Sequence, residues 1–312
     1  MGDTRPLAAV LGPTGSGKSD LALEIARLFD GEIINCDSMQ LYRGFDIGTA
    51  KVHLAERRDI PHHFIDACEP DQVFTAGDYV RLVRPLLTNL SAKGKLPIVA
   101  GGTGFYFRAL LEGLSSGPER DDDVRADLLR RETRRHGFLY RALRMLDPVA
   151  ARRIHENDTN KLVRAVEVCL TARNSMTEMF ASGRERLQGF RVLKVGLDPP
   201  RAELYAKLDE RCKRMWDGGL ADEVRVLLAA GVPPTAKPFE SIGYKQALNF
   251  VLRRTSETDA LDEMRRDTRR YAKRQMTWFR REQDVLWFEG FGSDSTVRRA
   301  ALDAVNTHLQ VV

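Results

Sequence analysis

The sequence has few cysteines, and none of them forms a close pair. Its 312 residues include four cysteines, which stand singly at Cys36, Cys68, Cys169 and Cys212. No C-x-x-C pair occurs, which argues against a zinc site or a dithiol redox centre. The same usage suits the reducing environment of the cytosol, so we expect a cytoplasmic protein.

Long apolar segments are also lacking. No stretch approaches the roughly 18 to 20 uncharged apolar residues that a bilayer span needs. The apolar run at residues 6–11 is too short for the core of a signal peptide. We therefore expect no membrane partner. With 24 glycines and 43% hydrophobic residues, the chain has neither a collagen-like nor a disordered composition.

The charge balance is only mildly positive. The chain has 49 Lys and Arg residues against 44 Asp and Glu residues, which gives a formal net charge of +5. This excess permits a polyanionic partner but does not identify one. The length predicts about two domains.

A phosphate-binding loop follows the first apolar run. Residues 6–11 resemble a buried strand, and apolar residues recur at helical spacing from residue 21 onward. This order of strand, glycine-rich loop and helix favours a diphosphate or triphosphate ligand, held by backbone N–H groups and the helix N-terminus. Lys18 is expected to contact the terminal phosphate and Ser19 to coordinate Mg²⁺, whether or not the ligand is a nucleotide. The loop matches G-x-x-x-x-G-K-[ST] with Gly12, Pro13, Thr14, Gly15, Ser16, Gly17, Lys18 and Ser19.

Polar residues follow two further predicted strands. Residues 32–36 lead to Asp37, which could serve as a metal ligand, a general base or a helix cap. Residues 96–100 lead to the sequence GGTG, whose glycines permit close approach of a ligand to the backbone. Because the carboxyl ends of parallel strands meet at one edge of a sheet, we expect Asp37 and Thr103 to lie near Lys18.

The chain changes character near residue 114. Small residues occupy positions 114–118, and helical spacing then continues to about residue 173, with no strand signal until residues 192–197. We predict an α/β fold: a parallel sheet of the P-loop NTPase type, flanked by helices and carrying an all-helical insertion domain. The predicted core domain comprises residues 1–117 and 190–312, and the insertion comprises residues 118–189.

A basic helix is predicted at residues 262–281. Arginines dominate this segment, which suits a phosphate backbone, and an ordinary arginine-rich surface helix has the same pattern. A further helical stretch is predicted at residues 203–230 and a final strand at residues 285–288. The regularly spaced face of the basic helix consists of Met264, Thr268, Tyr271, Gln275 and Trp278.

Nearly the whole chain resembles the tRNA dimethylallyltransferase family, whose members are also called tRNA isopentenyltransferases. The resemblance indicates the shorter, bacterial form, without a C-terminal zinc finger. It rests on segments in the family's order: residues 12–19 (GPTGSGKS), 37–40 (DSMQ), 48–51 (GTAK), 61–66 (PHHFID), 101–104 (GGTG), 146–148 (LDP), 157–158 (ND), 164–168 (RAVEV), 241–245 (SIGYK) and 271–280 (YAKRQMTWFR).

The resemblance implies transfer of a dimethylallyl group from dimethylallyl diphosphate to N6 of adenosine-37 in the anticodon loop of tRNA. Diphosphate is released and N6-isopentenyladenosine is formed. The phosphate loop would then hold the diphosphate of the donor, with Mg²⁺ at Ser19. By resemblance Asp37 is the general base, while Lys18, Thr103 and Arg211 act around the leaving group or the target nucleotide.

The resemblance also implies contacts with tRNA, in which the insertion clasps the anticodon stem-loop. Thr159 and Asn160 stand where the family commonly has two arginines, so their contact with RNA stays open. We expect a monomer. The implied contacts are Asp37, Ser38, Met39, Gln40, Thr103, Arg125, Lys161, Leu162, Val163, Arg164, Ala165, Gly243, Tyr244 and Lys245, joined on the basic helix by Arg269, Arg270, Lys273 and Arg274.

Two other activities fit parts of the sequence. An adenylate isopentenyltransferase performs the same chemistry on a free nucleotide. The arginine-rich segments favour tRNA, because a free nucleotide offers no long backbone to neutralise. A nucleotide-dependent RNA-binding protein or kinase would instead bind ATP at the phosphate loop.

Overall fold

The computed structural model describes residues 4–115, 117–172, 174–181 and 183–311, without the side chain of residue 181. The chain divides into two compact units: unit 1 comprises Met1–Leu110 and Leu187–Val312, and unit 2 comprises Leu111–Arg186. Unit 2 begins at Leu111, before the predicted position 118, and contains a β-bridge between Ser115 and Arg184. Residue 116 of the predicted break, and residue 173 at the end of the predicted helical region, lie outside the described residues.

Unit 1 is built on a six-stranded, all-parallel sheet with the order β3-β2-β4-β1-β5-β6. All of these strands except β3 agree with the predicted strands to within two residues. The two-residue strand β3 is too short to show a periodicity. The strands are β1 (Arg5–Leu11), β2 (Gly31–Asn35), β3 (His62–His63), β4 (Leu96–Ala100), β5 (Phe190–Leu197) and β6 (Val285–Phe288).

Helices flank the sheet and form unit 2, so the predicted α/β fold with a P-loop-type parallel sheet is confirmed. Helices α4–α8, as numbered below, belong to unit 2. The helices are α1 (Lys18–Leu28), α2 (Ala76–Ala92), α3 (Gly104–Glu112), α4 (Asp122–Arg134), α5 (Phe138–Leu146), α6 (Pro148–Arg153), α7 (Thr159–Ala172), α8 (Met176–Ala181), α9 (Arg201–Asp217), α10 (Leu220–Ala229), α11 (Tyr244–Val251), α12 (Glu257–Phe279) and α13 (Ser295–Gln310).

The core of unit 1 lies between the sheet and its helices. Central strands of a parallel sheet are buried on both faces, which explains the nearly continuous apolar sequences of β1 and β4. Leu21 and Ile25 of α1 pack in one cluster with Val10 of β1, Ile98 of β4 and Ala301 of α13, and these five residues are at most 2% exposed. Burying these side chains holds α1 firmly at the end of the phosphate loop.

The register of the sheet brings three loops to one level. Val10 of β1 pairs with Ala100 of β4, and the same Ala100 pairs with Asn35 of β2. The loops that follow these three neighbouring strands therefore begin side by side at the carboxyl edge of the sheet, where ligands of such folds bind.

Unit 2 has its own small core. Leu128 of α4, Leu143 of α5 and Val166 of α7 are buried together. The described residues of this unit contain no strand beyond the single bridge already noted. Among the described residues of both units, no helix combines the length and hydrophobicity that a membrane span requires.

Candidate active site

The phosphate loop joins β1 to α1 in a conformation that requires glycine. Gly15 and Gly17 have φ angles of 79° and 83°, which residues with a side chain rarely adopt. A Cβ on Gly17 would also lie only 3.0 Å from the backbone nitrogen of Gly292. The loop runs directly into α1, whose first N–H groups have no acceptor within the helix and therefore suit an anion.

Lys18 is held inside this loop in an unfavourable environment for its charge. Its Nζ donates to the carbonyl of Pro13 at 2.7 Å. Burial lowers the pKa of Lys18 from 10.5 to about 7, Asp37 partly opposes this shift, and Arg211 reinforces it. Burial also lowers the pKa of Arg211. The positive charges of Lys18 and Arg211 are thus only partly balanced by nearby negative charge, and a bound diphosphate would supply the missing negative charge.

Asp37 follows β2 and is fixed by its own loop. One carboxylate oxygen, Oδ1, accepts from the backbone N–H of Met39 at 2.9 Å, and the backbone N–H of Asp37 donates to the Asn35 side chain at 3.2 Å. The other oxygen, Oδ2, accepts no hydrogen bond from any described residue. The carboxylate is therefore oriented but retains one oxygen that could accept a proton.

Thr103 supports the same loop from the neighbouring strand end. Its Oγ1 accepts from the backbone N–H of Ser38 at 3.0 Å and lies 3.3 Å from Ser38 Oγ, while its N–H donates to the carbonyl of Cys36 at 3.1 Å. Thr103 lines neither of the cavities described below. Its geometry indicates that it positions Asp37 and Ser38, and its implied contact with the leaving group or the target nucleotide stays a prediction.

Two cavities meet at these residues. The larger has a volume of about 650 Å³ and the smaller about 360 Å³. The larger is lined by Lys18, Ser19 and the accessible residues of the phosphate loop. Gly12, Pro13 and Ser16 of this loop are buried and do not line the cavity. The smaller is lined in part by Ser38, Met39, Met215, Ile242, Met264, Tyr271 and Arg274. The residues common to both cavities are Thr14, Asp37, Thr49 and Arg211.

Residues 46–51 form one wall and are clamped from two sides. Lys51 is only 8% exposed, and its Nζ donates to the carbonyl of Tyr42 at 2.5 Å and to the carboxylates of Asp46 and Asp66 at 2.7 and 2.5 Å. From the other side, the hydroxyl of Tyr244 accepts from Gly48 N–H at 3.1 Å. Thr49 is thereby held where both cavities meet.

Several residues implied in tRNA contact pack or form hydrogen bonds within the protein, and their contact with tRNA stays a prediction. Tyr244 is fully buried and donates its hydroxyl to Glu223, and Gly243 is buried beside it. Gln40 lines the larger cavity, but its Nε2 donates to the carbonyl of Thr49 at 3.0 Å. Lys245, which follows Tyr244 in the chain, is exposed.

The residues of unit 2 that are implied in tRNA contact are of three kinds: buried, paired with a carboxylate, or exposed. Leu162, Val163 and Ala165 of α7 are at most 2% exposed because they face the core, and their implied contact with tRNA stays a prediction. Arg125 and Arg164 each donate to Glu167 at 3.0 Å. The remaining residue of this group, Lys161, is exposed, as are Thr159 and Asn160.

The basic helix α12 contains an arginine in a close ion pair and basic side chains that are more exposed. Arg269 donates to both carboxylate oxygens of Asp209 at 2.6 Å, whereas Arg270 is 63% exposed and lies 3.7 Å from Asp267. Lys273 and Arg274 are exposed. An RNA backbone would meet Arg270, Lys273 and Arg274 without breaking the partly exposed ion pair of Arg269 and Asp209.

Sequence analysis missed the site role of Gln275. Its spacing predicts only a place on the regular face of α12, but its Oε1 accepts from Thr14 N–H at 2.8 Å and its Nε2 donates to the carbonyl of Gly102 at 2.8 Å. The available signal was a glutamine, a residue with both a donor and an acceptor, on an otherwise largely apolar face.

The comparisons with known proteins agree with one another. The family model for IPP transferase matches residues 40–282. The tRNA dimethylallyltransferase of Solibacter usitatus is 55% identical over 96% of this chain and 98% of its own length, and that of Koribacter versatilis is 47% identical over the same shares.

Solved structures show the same similarity. The tRNA isopentenylpyrophosphate transferase of Bacillus halodurans matches with a TM-score of 0.73 and 32% identity, covering 98% of this chain and 97% of that one. A eukaryotic dimethylallyltransferase acting on tRNA matches with a TM-score of 0.82 and 25% identity, covering 97% of this chain and 80% of that one. On the family model and on relatives of this similarity over nearly its whole length, the chain belongs to the IPP transferase family of tRNA dimethylallyltransferases.

Proposed function

We propose that this protein transfers a dimethylallyl group from dimethylallyl diphosphate to N6 of adenosine-37 in the anticodon loop of tRNA. The observation that carries the proposal is the junction of the two cavities, where Thr14, Asp37 and Arg211 are shared between a phosphate-binding compartment and one that combines apolar with charged side chains. Family membership supports the reaction type.

The larger cavity suits the diphosphate. Backbone N–H groups of the loop and the side chains of Lys18 and Arg211 would neutralise the negative charge that builds up as the allylic C–O bond breaks. Because the pKa of Lys18 is lowered to about 7 in the free site, this lysine would gain a proton as the diphosphate binds.

The smaller cavity suits an extruded base. Its apolar side chains, among them Ile242 and Met264, and the ring of Tyr271 offer surface against which an adenine could pack, and the cavity reaches Asp37. As the bond from N6 to C1 of the prenyl group forms, N6 loses a proton, and the unoccupied Oδ2 of Asp37 would accept it. The electrons of the broken C–O bond leave with the diphosphate.

The residues present fit Mg²⁺ bound together with the donor. The described residues contain no cluster of three or more His, Cys, Asp or Glu side chains that could hold a metal alone. Mg²⁺ commonly uses one or two protein oxygens together with phosphate oxygens and water, and the exposed hydroxyl of Ser19 lines the cavity as such a ligand. When bound, the ion would supply further positive charge to the leaving diphosphate.

Exposed basic residues on both units would bind the tRNA backbone. In unit 1 these are Lys245, Arg270, Lys273 and Arg274, and in unit 2 Lys161. We further propose that the protein acts as a monomer in the cytoplasm. The four cysteines are free thiols, which supports a reducing compartment.

The reaction is tested with labelled dimethylallyl diphosphate and two acceptors, tRNA and AMP. We expect label on tRNA carrying adenosine-37 and none on tRNA with another base at that position. Label on AMP alone would assign the chain to free-nucleotide prenylation.

The general base is tested with Asp37→Asn. Turnover should fall by about 10² or more, the usual range for loss of a general base, while the Kd for tRNA changes little. The matched control is Asp198→Asn, because Asp198 also follows a strand of this sheet but pairs with Arg280 at 2.8 Å and lines neither cavity. Equal turnover of Asp37→Asn and wild type would remove Asp37 from the mechanism.

A further inference from the structure

Gln275 forms a rigid bridge between two loops of the site. Its side chain is only 6% exposed, and both ends of its amide are used, by Thr14 N–H and by the carbonyl of Gly102. A backbone N–H can only donate and a carbonyl can only accept, so the orientation of the amide is determined without ambiguity. A Cβ on Gly102 would lie 2.4 Å from Nε2, which shows how tightly the amide is seated.

This bridge removes one donor from the phosphate loop. Gly15 and Gly17 donate their N–H groups to no other described residue, and the first N–H groups of α1 follow them, so this part of the loop remains available to an anion. Thr14, the next residue towards β1, already donates to Gln275. Gln275 also lines the larger cavity beside Lys18.

A third phosphate would meet an obstacle at this place. Lys18, the N–H groups of Gly15 and Gly17 and those that begin α1 are left for the diphosphate, whereas the N–H of Ser16 donates to the carbonyl of Pro13 at 3.3 Å. A third phosphate extending towards Thr14 would meet an N–H that is already occupied and the amide of Gln275, which lines this cavity. Displacing Gln275 would leave the buried carbonyl of Gly102 unpaired, a loss that corresponds to about tenfold in affinity or more.

We propose that Gln275 is a specificity-determining residue that restricts the phosphate loop to diphosphates and excludes triphosphates such as ATP. The inference rests on the proposed function, in which the loop holds a diphosphate donor. It explains how a loop whose sequence also suits nucleotides can be reserved for a prenyl diphosphate.

The test compares inorganic pyrophosphate with inorganic tripolyphosphate, each titrated calorimetrically into the full chain. The wild-type protein should bind pyrophosphate at least tenfold more tightly. In Gln275→Ala, which frees both the N–H of Thr14 and the space beside it, this preference should shrink by tenfold or more. An unchanged preference would overturn the proposal.

The matched control is Gln246→Ala. Gln246 is 1% exposed and likewise uses both ends of its amide, accepting from Gly243 N–H and donating to Asp267, but it lines neither cavity. This variant should lose stability in thermal melting without changing the phosphate preference. A preference that falls equally in both glutamine variants would show a general effect of destabilisation and refute a specific role for Gln275.

Gly102→Ala provides a second route should Gln275→Ala fail to fold. Its added Cβ should push the amide of Gln275 away from the loop and shift the preference in the same direction; no shift would count against the proposal. Transfer of label to tRNA reports the proposed function separately. A wild-type protein that prenylates tRNA but binds tripolyphosphate as tightly as pyrophosphate would overturn this inference alone.

Discussion

Positively charged side chains are neutralised differently in the two units of this molecule. In unit 2, Arg125 and Arg164 donate to the same carboxylate, that of Glu167, which is fully buried and also accepts from the N–H of Asp121 at 2.8 Å. In unit 1, burial disfavours the charges of Lys18 and Arg211, Arg211 further disfavours that of Lys18, and Asp37 compensates only in part.

The difference separates structural cations from those prepared for a ligand. An arginine that already satisfies a buried carboxylate gains little from an incoming phosphate, because binding would first have to break the existing pair. A lysine whose pKa is lowered to about 7 is stabilised as soon as an anion arrives. The same residue types therefore serve the core of unit 2 and the cavity of unit 1.

The strongest test of this contrast is Glu167→Ala. Removing the carboxylate leaves two arginines without their buried partner, which should destabilise unit 2 by about 3–5 kcal/mol, as measured by hydrogen exchange of α7. Binding of pyrophosphate to unit 1 should be unaffected. The matched control is Asp127→Ala, whose exposed carboxylate also pairs with two arginines, Arg130 and Arg131, and which should have a much smaller effect. Equal effects of the two substitutions would contradict the structural role of Glu167.

The second test concerns the proton of Lys18. Its pKa of about 7 in the free site should rise when a diphosphate binds. At pH 8 the free lysine is mostly neutral, so binding should take up close to one proton, whereas at pH 6 it is already charged and uptake should be small. Titrations of pyrophosphate in buffers of different ionisation enthalpy measure this uptake.

Lys18→Arg provides the baseline for that measurement, because arginine stays protonated throughout this pH range. Subtracting its proton uptake removes the contribution of pyrophosphate itself. Identical uptake by Lys18→Arg and wild type at pH 8 would show that Lys18 is already charged in the free site.

The smallest expected effect distinguishes two neighbouring arginines of α12. Arg270→Ser should lower the slope of log K for tRNA against log salt by about 0.7–0.9, the value for one phosphate contact. Arg269→Ser should change this slope less, because Arg269 is bonded to Asp209 at 2.6 Å. Equal slopes in Arg270→Ser and wild type would make α12 an ordinary surface helix.

Local sequence patterns predicted the phosphate loop and Asp37 well. The glycine positions of the loop are required by positive φ angles, and Asp37 lies just beyond Cys36 at the end of a strand whose burial is visible in its composition. The contacts of Gln275 could not be predicted in this way, because they join residues 261 and 173 positions apart. Helical spacing likewise indicated a helix at residues 159–172 but not that Leu162, Val163 and Ala165 face its core.

The α/β class, the phosphate loop and the identity of the residues at the strand ends follow from the order of the amino acids alone. These features depend on short-range rules of backbone geometry and hydrophobic periodicity, which act within a few residues. Long-range packing, in contrast, establishes which cations are neutralised internally, that Thr103 holds Ser38, and that Gln275 occupies the N–H of Thr14. Charge balance and hydrogen-bond partners depend on distances between segments far apart in the chain, and packing sets those distances.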